Sequence, residues 1–397
     1  MTEPDYGVVL SDADRSFRDE VREFIEAALT SDLRGRGHDK TDHLIRMRLW
    51  QERLHEAGLA AISWPEQFGG RGASPVRQLI FNAEMAAAHA PEPINRSAIN
   101  QLGPTIIQWG TDEQRAHYLP RILSGADIWC QGFSEPEAGS DLAALRTRAD
   151  IDGDELVITG QKIWTSKAEF ADWIYILART DPRAEKHAGI SYVLVPLSSP
   201  GIEIRPVRQI TGQAEFNAVF FDSVRVPAAN VLGPMHGGWK VAKATLGYER
   251  VGQSRTHRIE RRLAILVKMA QGENVLSDNG LDDSYVADRI VGFAARVEAL
   301  RQISAQATAA GVRGVSPGPE ASLAKLLTSE VDQEMANFGL DLAGASGTLD
   351  RHSIGTAKAG NVAMSYLLMR AATFGAGTSE VQRNVIAEKL LGLPRDP

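Results

Sequence analysis

Three runs in this sequence bring hydroxyls, pliable backbone and large rings close enough together to do chemistry. In WCQGFSEPEAGSDLAALRTRA, residues 129–149, Ser134 and Ser140 flank the amides around residues 137–139, where glycine lets a backbone come close to a planar polar ligand or a phosphate. A Pro-Gly turn at a domain junction is the other reading of the same run. In GQKIWTSKAEFAD, residues 160–172, Trp164 offers a flat face, and Ser166, two residues on in a strand, puts a hydroxyl on the same side. A ring ligand can stack there, and a core anchor is the alternative for the indole. In ATFGAGTSEVQRNVIAEKLLGLP, residues 372–394, a glycine loop runs into an amphipathic helix with Val381, Val385 and Leu390 inward. Thr378 lies at that helix start, where free amides and the dipole favour an anion such as a pyrophosphate.

The elements that must position these runs follow from the hydrophobic period. Up to about Gly125 it is helical: Ser11 is a plausible N-cap, with Phe17, Val21, Phe24 and Ala28 on one stripe. Ser74 with Pro75 reads as an N-cap followed by a first-turn proline, and Thr111 with Gln114 as a capping box. Between about Asp127 and Gly233 the period drops to two, in ELVIT, DWIYILART, ISYVLV, IEI and AVFFD, with Gly, Pro and Asp between them. After Gly237 and Gly238 the helical period returns from Trp239 to about Ala270, Tyr285 to Ala310, Glu320 to Leu342, Thr356 to Phe374 and Ser379 to Leu391. The expected division is residues 1–126, an N-terminal helical domain; 127–233, a central β domain; and 234–397, a C-terminal helical bundle.

At 397 residues the chain exceeds the roughly 250–300 at which a single core stops growing. A composition of 43% apolar and 23% charged residues is that of a folded globular protein. A net charge of −7 argues against nucleic acid as a partner, and the lone Cys130 excludes an internal disulfide and a cysteine-rich zinc site. His236, His257 and His352 have no metal-binding spacing, so no metal is expected. The first residues lack a basic segment followed by an apolar one, and no run of about 18 apolar residues occurs, which places the protein in the cytoplasm with no membrane span.

Taken together, in this order and spacing, the three runs resemble the acyl-CoA dehydrogenase family over essentially the whole chain. The resemblance implies an α+β multidomain fold: an N-terminal helical domain, a central β barrel and a C-terminal four-helix bundle holding FAD. It implies α,β-dehydrogenation of an acyl-CoA thioester to the trans-2-enoyl-CoA, with electrons passing to an electron-transfer flavoprotein. By the same likeness Phe133 and Ser134 meet the flavin ring, Trp164 covers it, Thr165 contacts it through its backbone, and Ser166 hydrogen-bonds near its N5. Ser140 contacts substrate, and Thr378 and Glu380 touch the dinucleotide, usually of a neighbouring subunit, in a tetramer.

Several positions depart from the family pattern. Many members carry a glutamate base in the loop before the Gly-Thr of the third run, but here the residues are Phe374, Gly375, Ala376, Gly377 and Thr378. A second branch takes the base from the first long bundle helix, just before an arginine, and here Glu249 and Arg250 stand there. Glu249 is therefore the candidate base, with Arg250, Ala376 and Gly377 beside the substrate; the Ala376 amide is kept to polarise the thioester carbonyl. At helical spacing Glu249 shares a face with Ala242, Thr245, Gly252, Gln253 and Thr256, all small or polar. A solvated glutamate is the alternative. The family's Arg-x-x-Phe-Gly grip on the FAD pyrophosphate is missing, with Arg289 the one substitute, and the usual glutamine before Gly-Gly-x-Gly is replaced within residues 341–347. These losses resemble actinobacterial heteromeric enzymes for sterol-derived and bulky acyl chains, in which two related chains share one site. The alternatives to a homotetrameric dehydrogenase are thus a subunit of such a hetero-oligomer, a non-catalytic partner chain, or a flavin oxidase or monooxygenase on the same fold.

Overall fold

The computed structural model describes residues 6, 8–34, 40–252, 256–272, 283–312, 318–349 and 359–394; within helices, at 40, 249–252, 256–257, 308–309, 311–312 and 359–360, it describes the backbone alone. Contacts divide the chain into two compact units, the first essentially residues 10–249 and the second 250–397.

The first unit opens with helices α1 (Asp12–Ala28), α2 (Lys40–Glu56), α3 (Pro75–Ala87), α4 (Gly103–Trp109) and α5 (Asp112–Ser124). Their starts are where the sequence marks them. Ser11 and Asp14 form a reciprocal capping box, Ser74 accepts from the Arg77 amide with Pro75 behind it, and Thr111 and Gln114 cap each other. On α1 the apolar stripe buries Phe17, Val21 and Ile25. Between α3 and α4 a π-turn, Ala98–Leu102, widens the helix just before Gly103 and Pro104.

Seven strands follow: β1 (Trp129–Gly132), β2 (Arg148–Asp152), β3 (Glu155–Ser166), β4 (Trp173–Arg179), β5 (Ile190–Pro196), β6 (Ile202–Val207) and β7 (Phe216–Pro227). They make one curled sheet in the order β1-β4-β2-β3-β7-β6, with β5 pairing β4. β1 runs parallel to β4, whereas β3 and β7 form a long antiparallel pair with register shifts at Ile158/Gly160 and Lys162/Thr165. The curl is that of a half-barrel. One face, carrying Trp129, Phe133, Tyr175 and Tyr192, packs on the helices; the other, carrying Cys130, Ile174, Ile176 and Val193, forms its own core. Burial on that second face pushes the Cys130 thiol far up, which disfavours the thiolate and fits a packing role.

Helix α6 (Gly238–Gly252) leads out of the sheet, and α7 (Thr256–Ala270), α8 (Ser284–Val312), α9 (Glu320–Ala343), α10 (Ala359–Met369) and α11 (Ser379–Val385) make the second unit's bundle. Its core joins Ile259, Leu266, Phe293, Val331, Met335 and Phe338. Over the helical period from Trp239 to Ala270 the described residues form α6 and α7, and residues 253–255 between them lie outside the described residues. One expectation needs correction. Leu390 faces solvent, because α11 ends in a π-turn at Ile386–Leu390 that rotates its last residues off the inward stripe. No helix among the described residues is long and apolar enough to cross a membrane.

Candidate functional site

The first and second runs of chemistry-bearing residues meet in the first unit. β1 delivers the chain to Phe133 and Ser134, and the Ser134 carbonyl accepts from the Ile163 amide of β3 at 2.9 Å. Behind that contact lies an ion pair that no sequence reasoning had singled out. Lys162 is fully buried, and its Nζ donates to Glu135 Oε1 at 2.7 Å and to the Phe133 carbonyl at 3.3 Å. Glu135 also accepts from the Arg146 and Thr147 amides at 2.6 and 3.0 Å. Burial pulls the Lys162 ammonium down to about 8, against the pull of Glu135. Burial would raise the Glu135 carboxyl, but Lys162 and the two amides outweigh it and hold the acid below its usual range. The signal was present in the strand pattern: Leu156, Ile158 and Lys162 share a parity, and the first two are inward.

Just past Lys162 the bulge in β3 turns Trp164 into a left-handed conformation, φ +60°, and leaves its indole 54% exposed with its edge on Phe216 at 5.9 Å. The core-anchor reading of this tryptophan is thereby excluded. Thr165 is buried with its Oγ1 unpartnered; its carbonyl accepts from Asn217, whose own Oδ1 is also unpartnered. Ser166 is again exposed. An open ring face beside an orphaned buried hydroxyl and an exposed serine is a cradle that fits a flat heterocycle rich in polar edges, such as an isoalloxazine. Ser140 is exposed at the turn beyond the Glu135–Ala138 bridge, next to Asp141, which pairs with Lys186 at 2.6 Å.

On the helical side, Phe133 packs edge-on against Tyr175 and Tyr192, which stack on each other at 5.8 Å. Ala242 and Thr245 of α6 are buried, and Thr245 Oγ1 meets Thr105 Oγ1 at 2.9 Å. The α6 face that Glu249 shares is thus directed inward at both positions. The side chains of Glu249, Arg250 and His257, with all of Gln253 and His352, lie outside the described residues.

In the second unit Ala376 has φ +54° and Gly377 φ +89°, a tight turn that presents successive amides before Thr378. Thr378 caps α11 by accepting from the Val381 amide at 3.1 Å. The Glu380 carboxyl is held below its usual range, chiefly by its own backbone amide and by Thr378. Beside them is a cavity of about 350 Å³ lined by Glu330, Gln333, Glu334, Thr373, Ser379, Glu380 and Arg383. Arg289 is taken up within the bundle, stacked on Phe293 at 4.9 Å and 4.0 Å from Glu334.

Comparison with known proteins shows the family. Residues 11–126, 130–224 and 236–391 match, in turn, the N-terminal, middle and C-terminal domains described for acyl-CoA dehydrogenases. The Mycobacterium tuberculosis acyl-CoA dehydrogenase IpdE1 is 40% identical over 389 residues, covering 96% of this chain and 98% of its own. Two solved structures superpose over nearly the whole chain. The ChsE4-ChsE5 complex from Mycobacterium tuberculosis is 34% identical with a TM-score of 0.83, covering 98% of this chain and 100% of its own. The Tcur3481-Tcur3483 steroid ACAD is 33% identical with a TM-score of 0.84, covering 99% of this chain and 100% of its own.

Proposed function

The chain belongs to the acyl-CoA dehydrogenase family, and from that premise we propose that it is one subunit of a heteromeric dehydrogenase that desaturates a bulky, sterol-derived acyl-CoA. As a family member it is an oxidoreductase acting on a CH–CH bond, with the fold of an FAD-binding dehydrogenase. The heteromeric reading is preferred to a generic homotetramer because two of its full-length structural relatives are two-component complexes, one described as a steroid enzyme. The observation that carries the chemistry is Trp164, held with positive φ and an open face beside the unpartnered Thr165 hydroxyl.

In this reading Phe133, Ser134, Trp164, Thr165 and Ser166 hold the flavin ring, and Thr378 and Glu380 are the dinucleotide candidates of the second unit. Bound FAD supplies the acceptor for the β hydride. Glu249 takes the α hydrogen as a proton, Ser140 and Arg250 bind substrate, and the amides at Ala376 and Gly377 draw charge from the thioester carbonyl. An electron-transfer flavoprotein then removes the electrons.

The test is anaerobic titration of the FAD-loaded protein, alone and co-purified with a related subunit, with a sterol side-chain CoA thioester. Bleaching of the yellow absorbance is expected. Glu249→Gln should retain FAD and slow bleaching about 10²- to 10⁴-fold. A Gln variant as fast as the wild type removes Glu249 from its role, and rapid aerobic peroxide formation would favour an oxidase.

A further inference from the structure

A patch of polar side chains interrupts the apolar layer between the sheet and the helices of the first unit. Gln131 is the one half-buried position of β1, lying between Trp129 and Phe133, whose rings belong to that layer. Its Oε1 accepts from the hydroxyl of Tyr175, its partner across the β1–β4 ladder, at 3.0 Å. Gln101, thrown inward by the π-turn, brings its own Oε1 within 3.4 Å of the same hydroxyl. A tyrosine has one hydroxyl hydrogen and cannot satisfy two carbonyls. Neither Gln101 nor Gln131 gives its side-chain amide nitrogen a hydrogen-bond partner among the described residues, and both side chains are half-buried.

The polarity continues along the same face. Thr105 and Gln108, four and seven residues beyond Gln101, meet Thr245 and Tyr248 of α6 through hydroxyl and amide contacts of 2.9 and 3.2 Å. A pocket for a plain hydrocarbon is walled by aliphatic and aromatic groups, because a buried amide without a partner destabilises the complex.

We propose that Gln101, Gln131 and Tyr175 are specificity-determining residues that bind a ketone or hydroxyl oxygen on the acyl group, so that the substrate is an oxygenated acyl thioester and not a simple hydrocarbon one. The proposal rests on the dehydrogenase reading above and deepens it by naming what the acyl group must carry.

The experiment compares three thioesters on the FAD-loaded protein with its co-purified subunit: a cyclohexylpropanoyl-CoA, its ring-keto counterpart and its ring-hydroxyl counterpart. The readout is kcat/KM from anaerobic bleaching. At least one oxygenated thioester should be preferred to the hydrocarbon by about tenfold or more. Which of the two leads tells whether the site donates to a carbonyl or accepts from a hydroxyl. In Gln131→Leu, Gln101→Leu and the double variant that ratio should fall toward one, with Tyr175→Phe between, while thermal melting and FAD content report on folding. Equal use of all three by the wild type, or a preference that survives the double variant, overturns the proposal. The wild-type ratios decide the matter even if a variant loses FAD. Failure of every thioester to bleach the wild type would bring down the dehydrogenase reading itself, an outcome distinct from equal use.

Discussion

A lysine with no exposed surface is tolerable only while its charge is answered, and among the described residues Lys162 has a single carboxylate to answer it, that of Glu135. The two partners are not equivalent on removal. Glu135→Gln leaves an uncompensated ammonium and weakens the acceptor for the Arg146 and Thr147 amides, and is expected to cost about 3–5 kcal/mol. Lys162→Met removes the charge that needs answering and leaves Glu135 its two amide donors, so its cost should be clearly smaller; urea unfolding of both variants checks the order. The pH dependence has a definite sign. Because the folded-state pKa of Glu135 is depressed, its stabilisation is full above the ordinary glutamate range and is lost as pH falls through the lower folded value. The wild-type urea midpoint should therefore drop on acidification below about pH 4.5, and Lys162→Met should show a shallower acid limb. An acid limb identical in the two proteins would remove Lys162 as the cause of the depressed pKa.

At the scale of elements, the π-turn that presents Gln101 is fixed by its contact with the turn that follows α2. Trp64 donates its indole N–H to the Ile99 carbonyl at 2.9 Å, and a Cβ on Gly103 would come within 1.9 Å of its ring. Gly103→Ala must push apart a buried indole and a helix start, an overpacking expected to cost about 3 kcal/mol. Gly247→Ala adds its methyl to open space in a helix interior and should stabilise by about 0.5–1 kcal/mol. Thermal unfolding of the pair tests the contrast, and a Gly103→Ala protein as stable as the wild type would show that the π-turn can yield. Elements of this kind divide what was legible in the sequence from what was not. Caps at Ser11, Ser74, Thr111 and Thr378 were readable because a short side chain bonds an amide three residues on. The alternation along β3 was readable up to Lys162 and failed at Trp164, where a bulge turns one residue and no local pattern announces it. The π-turns at Ala98–Leu102 and Ile386–Leu390 were invisible for a related reason, since one shifted hydrogen bond changes the face without changing the composition. The Gln101–Tyr175–Gln131 cluster joins residues 30 to 74 positions apart, a pairing that only the folded sheet makes.

The assembly of the whole molecule can be argued from how its second unit spends its charges. A grip on a pyrophosphate needs cations and free amides turned toward it. Around the start of α11 the amide of Val381 is already taken by Thr378, and the neighbouring cavity is lined by Glu330, Glu334 and Glu380 with Arg383, which is itself paired to Glu330. Arg289 is stacked on Phe293 and Phe338, and Arg296 forms a two-pronged pair with Glu334, so neither is available without breaking a bundle contact. Among the described residues such a surface disfavours a doubly charged linker from a neighbouring copy, which supports the proposed related subunit as its source. The expected outcome is that the chain expressed alone loses FAD on gel filtration, whereas co-expression with a related subunit gives a stable complex holding roughly one FAD for every two chains. Flavin absorbance against protein mass, together with native mass spectrometry, reads both quantities. Substituting Glu330→Gln and Glu334→Gln together should raise flavin retention by the lone chain if carboxylate repulsion is the cause. A homotetramer of the unmodified chain with a full complement of FAD would instead show that these carboxylates do not keep the dinucleotide away.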